Sequence, residues 1–159
     1  MIILGVDPGS LVTGYGVVKY INMKIEPVTW GTISCKPISS FQLRLKKIYN
    51  AILEIIQTYQ PAEMAIESLF HAKNTQSALK LGHARGVILL AAANSDLPVA
   101  EYSPRNIKQA ITGNGAASKQ QVQQMVMRLL GLTQELTSYD VSDSLATAIC
   151  HCHRIEKNR

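Results

Sequence analysis

Four carboxylates in this sequence stand where chemistry could be done with them. Asp7 ends an apolar run, Ile2-Ile3-Leu4-Gly5-Val6, and is followed at once by the turn residues Pro8-Gly9-Ser10. Glu67 ends a second short run, Glu63-Met64-Ala65-Ile66-Glu67, just after Pro61. Asp140 and Asp143 lie three apart at the head of a helical pattern, so they share one face within a turn. A carboxylate at the end of a buried strand is costly unless a cation or hydrogen-bond donors meet it. Three of the acids have a plainer reading: Asp7 can cap its own Asp-Pro-Gly turn, and the aspartate pair can complement a helix dipole. Gathered in one place, the four make an all-oxygen donor set suited to hard divalent cations such as Mg²⁺. Such a set supports phosphodiester hydrolysis, in which one ion lowers the pKa of the attacking water and a second, about 3.5 to 4 Å away, stabilises the leaving oxygen. No Ser or Cys triad and no Walker phosphate loop offers a competing chemistry.

The elements that would gather them follow from pattern. The apolar run ending at Asp7 reads as a strand buried on both faces. Gly14 to Tyr20 forms a second strand pairing antiparallel with it, and Met23 to Ser34, interrupted by Pro27 and Gly31, a third. Ser39 or Ser40 caps a helix over 41–59, whose apolar positions include Leu45, Ile48, Ile52, Ile55 and Ile56. Pro61 stops it, and 63–67 is a strand reached through a right-handed crossover, hence parallel to a neighbour. If that neighbour is the first strand, Asp7 and Glu67 fall together at carboxyl ends, where open α/β sheets place their sites. A helix from Thr75 to about Asn94 turns Ala78, Leu79, Leu81, Ala84, Ile88 and Ala91 inward, and residues 98–102 give a last parallel strand. Pro104 opens a short basic helix broken at Gly113-Asn114-Gly115. Ser118-Lys119-Gln120-Gln121 has capping-box spacing for a helix to Leu130, and Ser138 can cap a final helix through about His153. Ser144 and Thr147 continue the face of the two aspartates with residues small enough for close approach to a sheet.

The chain of 159 residues has the length of one domain, with 47% hydrophobic residues for its core. No apolar run approaches the roughly 18 residues that span a bilayer. No basic segment precedes the first apolar run, so a signal peptide is not expected. Three cysteines, Cys35, Cys150 and Cys152, include no CxxC pair, which fits reduced thiols and a cytoplasmic protein. The net charge is +5; with four of the eleven acids drawn into one site, seven remain against sixteen basic residues. An acidic pocket in a basic exterior suits an enzyme that binds a polyanion through its surface. Cys150-His151-Cys152-His153 suggests zinc, but only Cys150 and His153 could share a helix face, and two ligands do not close a site. Asp7-Pro8-Gly9-Ser10 also resembles the phosphate-binding opening of sugar kinases and actin-like ATPases, which need two facing domains.

The order of elements, with acids at strands one and four and on the last helix, resembles the ribonuclease H-like nuclease superfamily. Within it, the sequence resembles the RuvC family of Holliday junction resolvases through Gly5-Val6-Asp7-Pro8-Gly9-Ser10, Thr13-Gly14-Tyr15-Gly16, Ala65-Ile66-Glu67 with Phe70, Ala72-Lys73-Asn74, 77–82, 84–86 and 140–146. The resemblance implies an α/β ribonuclease H-like fold, a five-stranded mixed sheet of a three-strand antiparallel meander plus two parallel strands flanked by helices. Residues 1–159 then form a single nuclease domain with a short basic tail at about 154–159. It implies that Asp7, Glu67, Asp140 and Asp143 are the catalytic acids holding two Mg²⁺ ions, for which Mn²⁺ can substitute. It makes Lys108 and Lys119 DNA contacts near the cut strand, and Phe70 the aromatic that stacks on or wedges into bases at the crossover. Read alone, those lysines are ordinary surface residues and Phe70 is core. The family further implies a homodimer making symmetric paired nicks in four-way junction DNA, a preference for certain thymine-containing cut sequences, and RuvA and RuvB as branch-migration partners, in recombination and repair. Two other readings stay open: a junction-binding module that does not cut, and a relative acting on structured RNA.

Overall fold

The computed structural model describes residues 1–68 and 74–157. Five strands, β1 (Ile2–Asp7), β2 (Val12–Ile21), β3 (Lys24–Ser34), β4 (Glu63–Glu67) and β5 (Val99–Tyr102), form one sheet in the order β3-β2-β1-β4-β5. β1 to β3 are an antiparallel meander, while β4 runs parallel to β1 and β5 parallel to β4. Pro27 is accommodated by a register shift opposite Val17 and Val18 on an edge strand, where a missing donor costs least.

Alternate residues of β1 feed two cores, as the two-residue period of a strand requires. Ile3 joins the face covered by α5 (Tyr139–Lys157), with Leu145 and Ile149. Leu4 and Val6 join the face covered by α1 (Phe41–Tyr59) and α2 (Thr75–Ala93), with Ile48, Ile52 and Ile88. These side chains are fully buried, each worth about 1.5–3 kcal/mol relative to exposure. α3 (Pro104–Thr112) and α4 (Lys119–Leu130) pack beside α5.

The helix boundaries have identifiable causes. Ser40 caps α1, accepting from Leu43 N, and the helix ends at Gln60 in the left-handed region just before Pro61. Ser118 and Gln121 form the expected capping box of α4. Gly113 and Gly131 close α3 and α4 at positive φ, 75° and 63°, as residues without a Cβ do readily.

Three expectations need correcting. Ala78 and Leu79 face outward, Leu79 at 60% exposure, because α2 is apolar around most of its circumference and has no single inward stripe to read. The last helix continues beyond His153, so residues 154–157 are its final turn rather than a tail. β2 begins two residues before Gly14 and extends to Ile21. No helix among the described residues is long and apolar enough to cross a membrane.

Candidate active site

Asp7 is the last residue of β1 and Glu67 the last of β4; the parallel register pairs Val6 with Ile66, which sets the two carboxylates side by side. The turn after Asp7 is closed by the buried Thr13, whose hydroxyl donates to Gly9 O at 2.8 Å and accepts from Gly9 N at 3.3 Å. The chain after Glu67 is tied down by Ser68, whose N–H donates to Tyr102 O at 2.8 Å and whose hydroxyl donates to the same oxygen at 3.1 Å.

The aspartates of α5 reach this edge because the sheet lets the helix come close. Asp7 pairs with Gly14 of β2, and a Cβ on Gly14 would lie 2.0 Å from the carbonyl oxygen of Asp140. One Cβ on Gly5 would lie 2.1 Å from Ser144 O. Ser144 and Thr147, both buried, satisfy their hydroxyls within the helix by donating to Val141 O and Asp143 O, each at 2.8 Å.

Asp7, Glu67 and Asp143 line one cleft of about 300 Å³, together with Lys108 from α3 and Lys119 from α4. Lys119 Nζ donates to Asp143 Oδ2 at 3.0 Å. Asp140 is not among the cleft-lining residues. Its carboxylate accepts a long hydrogen bond from Ser138 Oγ, 3.4 Å, yet its charge still acts on Asp7 and Asp143. Phe70 lies outside the described residues.

The electrostatics are those of an anion-rich pocket short of positive charge. Burial pushes the Asp7 carboxyl well above its ordinary range, and the charges of Glu67, Asp143 and Asp140 push it further against the pull of Lys119. Glu67 is raised by burial and then by Asp143, opposed by Lys119 and by a hydrogen bond with Asp7. Burial also raises Asp143, while its hydrogen bond to Lys119 acts the other way. Desolvation pulls Lys119 downward, but Asp143, Asp7 and Asp140 outweigh it and hold the ammonium above its usual value.

Among the described residues, no three His, Cys, Asp or Glu side chains stand close enough as placed to hold a metal ion. The donor chemistry nonetheless fits hard divalent cations: the cleft offers carboxylate oxygens whose repulsion Lys119 and Lys108 only partly offset. Cys150, His151 and Cys152 are buried and the cysteines are free. Burial pushes the His151 imidazole down and so keeps it neutral; Tyr102 OH then donates to Nδ1 at 2.7 Å and Nε2–H to Glu63 Oε2 at 3.0 Å. Glu101, which belongs to no sequence motif, pairs with Arg85 of α2.

Sheet order, mixed pairing and acids at the ends of two central parallel strands and on the final helix together define a ribonuclease H-like nuclease fold. The chain belongs to the RuvC family: the family's sequence profile, described as crossover junction endodeoxyribonuclease RuvC, matches residues 3–151. A crossover junction endodeoxyribonuclease RuvC from Desulforamulus reducens is 52% identical over 151 residues, which cover 95% of this chain and 93% of the relative. The structure of T. thermophilus RuvC in complex with Holliday junction substrate superposes with a TM-score of 0.93 at 31% identity, covering 99% of this chain and 96% of that one. A yeast mitochondrial Holliday junction resolvase shares the fold, with a TM-score of 0.67 at 12% identity, over 99% of this chain and 82% of its own.

Proposed function

We propose that this chain cuts four-way DNA junctions, with Asp7, Glu67, Asp140 and Asp143 as its catalytic acids. The observation that carries the reading is the meeting of Asp7, Glu67 and Asp143 in one cleft beside Lys108 and Lys119, in a chain of the RuvC family. When bound, divalent ions, Mg²⁺ first among them, would supply an activated water and stabilise the leaving oxygen. Asp7 and Glu67 would hold them from fixed strand ends, and Asp140 and Asp143 from the first turn of α5. Lys108 and Lys119 bring positive charge to the mouth of the cleft, where backbone phosphates of the cut strand would lie. Residues 1–159 act as one nuclease domain in the cytoplasm. Phe70, three residues after the strand-end Glu67, is assigned to the bases at the crossover on family grounds alone, as are RuvA and RuvB as partners and a thymine-containing cut site.

A homodimer is proposed on a structural basis. Leu79, Gly82, His83, Gly86 and Leu90 form one exposed stripe along α2, and a Cβ on either glycine would meet nothing within 4 Å. Small residues one turn apart, flanked by exposed leucines, give a flat apolar strip on which a second copy of the helix could lie closely.

The test uses a synthetic four-way junction, with protein added in EDTA and in Mg²⁺ beside a linear duplex competitor. Selective binding in EDTA and paired symmetric nicks in Mg²⁺ are expected. Selective binding without nicks under any divalent ion would reduce the protein to a binding module, and indifference to branching would redirect attention to structured RNA.

A further inference from the structure

Resting on the assignment of Lys119 to the cut strand, we infer that Tyr139 is a positioning residue that holds Lys119 over the cleft. Lys119 is the first residue of α4, where a positive charge opposes the helix dipole, so local helix energetics do not account for a lysine there. Its side chain is 62% exposed on a flexible four-carbon stem. Two groups on α5 hold its ammonium. Asp143 accepts from Nζ at 3.0 Å, and the Tyr139 ring lies 5.8 Å from Nζ. Tyr139 and Asp143 are four apart, on one helix face, and so form a two-point seat. Tyr139 is itself 45% exposed in the first turn of α5, next to Asp140, so the hydrophobic core does not require an aromatic at this position.

The two halves of the seat differ in one respect. Asp143 is a carboxylate that a divalent ion in the cleft would engage, and its hold on Lys119 weakens when it does. The tyrosine ring has no such competitor. It keeps the ammonium near the cleft mouth, available to a phosphate, in the state in which the acids are committed elsewhere. The contact needs the face of the ring and not the hydroxyl, so phenylalanine should serve and leucine should not.

The test combines a spectroscopic readout with coupled substitutions. In the wild-type protein and in Tyr139→Phe, the Lys119 Cε methylene protons should be shifted upfield by the ring current, both in EDTA and with Ca²⁺ added; in Tyr139→Leu that shift should vanish. Since an exposed cation–π contact is worth about two- to fivefold in an equilibrium, Tyr139→Leu should slow single-turnover cutting of a four-way junction by about that factor. Tyr139→Phe should match wild type. On a Lys119→Ala background, Tyr139→Leu should add nothing. A Lys119 methylene shift indifferent to Tyr139→Leu, or a full additive loss in the double variant, overturns the seat while leaving the role of Lys119 intact. Normal cutting by Lys119→Ala overturns the assignment of Lys119, and the seat with it.

Discussion

At the residue scale, the clustered acids are a cost to the folded state. Asp7 is raised because its charged form is both desolvated and repelled by Glu67, Asp143 and Asp140. A carboxyl whose folded pKa lies above its unfolded one binds its proton more tightly in the folded state. Its contribution to stability is therefore present below the unfolded pKa and lost as pH rises through the folded one. At neutral pH without divalent ions the charged site destabilises the protein. Asp7→Asn removes that charge at constant shape, so it should raise the melting temperature in EDTA, by ~2–4 °C for each kcal/mol recovered, while abolishing junction cutting. The variant's stability should also fall less than wild type's as pH is raised from about 4 to 7. An unchanged or lower melting temperature in EDTA would show that the carboxylates are not mutually strained. The positions of Asp7 and Glu67 at strand ends were legible because a charged residue closing an apolar run is conspicuous, and those of Asp140 and Asp143 because they stand three apart at the head of a helical pattern. Thr13 and Tyr139 were harder to read. The Thr13 hydroxyl closes a turn across four residues, and Tyr139 meets Lys119 across twenty, which no local spacing reveals.

At the scale of elements, the site exists because α5 lies almost on the backbone of β1 and β2. The sequence shows the helix half of that contact in Ser144 and Thr147, while the sheet half, Gly5, Gly14 and Gly16, emerges from the structure. Only the structure matches Gly5 to Ser144 and Gly14 to Asp140. Adding a methyl at Gly5 puts a carbon 2.8 Å from Ala148 Cβ and nearer still to Ser144 O, so the helix must move away. Overpacking of this kind costs about 1–3 kcal/mol. Gly5→Ala should lower stability in urea by that amount and impair cutting beyond what the lost stability explains, since Asp140 and Asp143 travel with the helix. Full activity at unchanged stability would mean that α5 can shift without disturbing the acids. Strand and helix boundaries were largely readable from turn residues and caps: 41–59 and 63–67 match in full, and the capping box at Ser118 forms. The orientation of α2 was not, since a helix apolar on most sides has no periodicity to follow. Its N-terminal turns are exposed throughout 74–80, Ala78 and Leu79 included.

At the scale of the molecule, that same uncovered helix bears on how two cuts come to be paired. A single cleft cuts one strand; symmetric nicks require a second cleft related to the first by a two-fold axis, and a two-fold interface is built from the same patch on both copies. The exposed stripe of α2 suits this, running along a helix of 19 residues, about 28 Å long, with Leu79 at one end and Leu90, 51% exposed, toward the other. α2 also contributes Leu81 to the lining of the cleft, so an interface on α2 would tie the spacing of the two clefts to the dimer axis. Replacing both leucines by glutamate, Leu79→Glu with Leu90→Glu, places like charges against each other across the axis. Both sites are exposed, so the cost to the folded protomer should stay within about 0.5 kcal/mol at each. Sedimentation is expected to give a dimer for the wild type and a protomer for the variant, with an unchanged far-ultraviolet spectrum. On a four-way junction the variant should still nick, but singly, so that the two nicks appear with independent rates instead of together. A persistent dimer would exclude the α2 stripe as the interface and move attention to the edge strand β3, whose exposed residues include Val28 and Trp30.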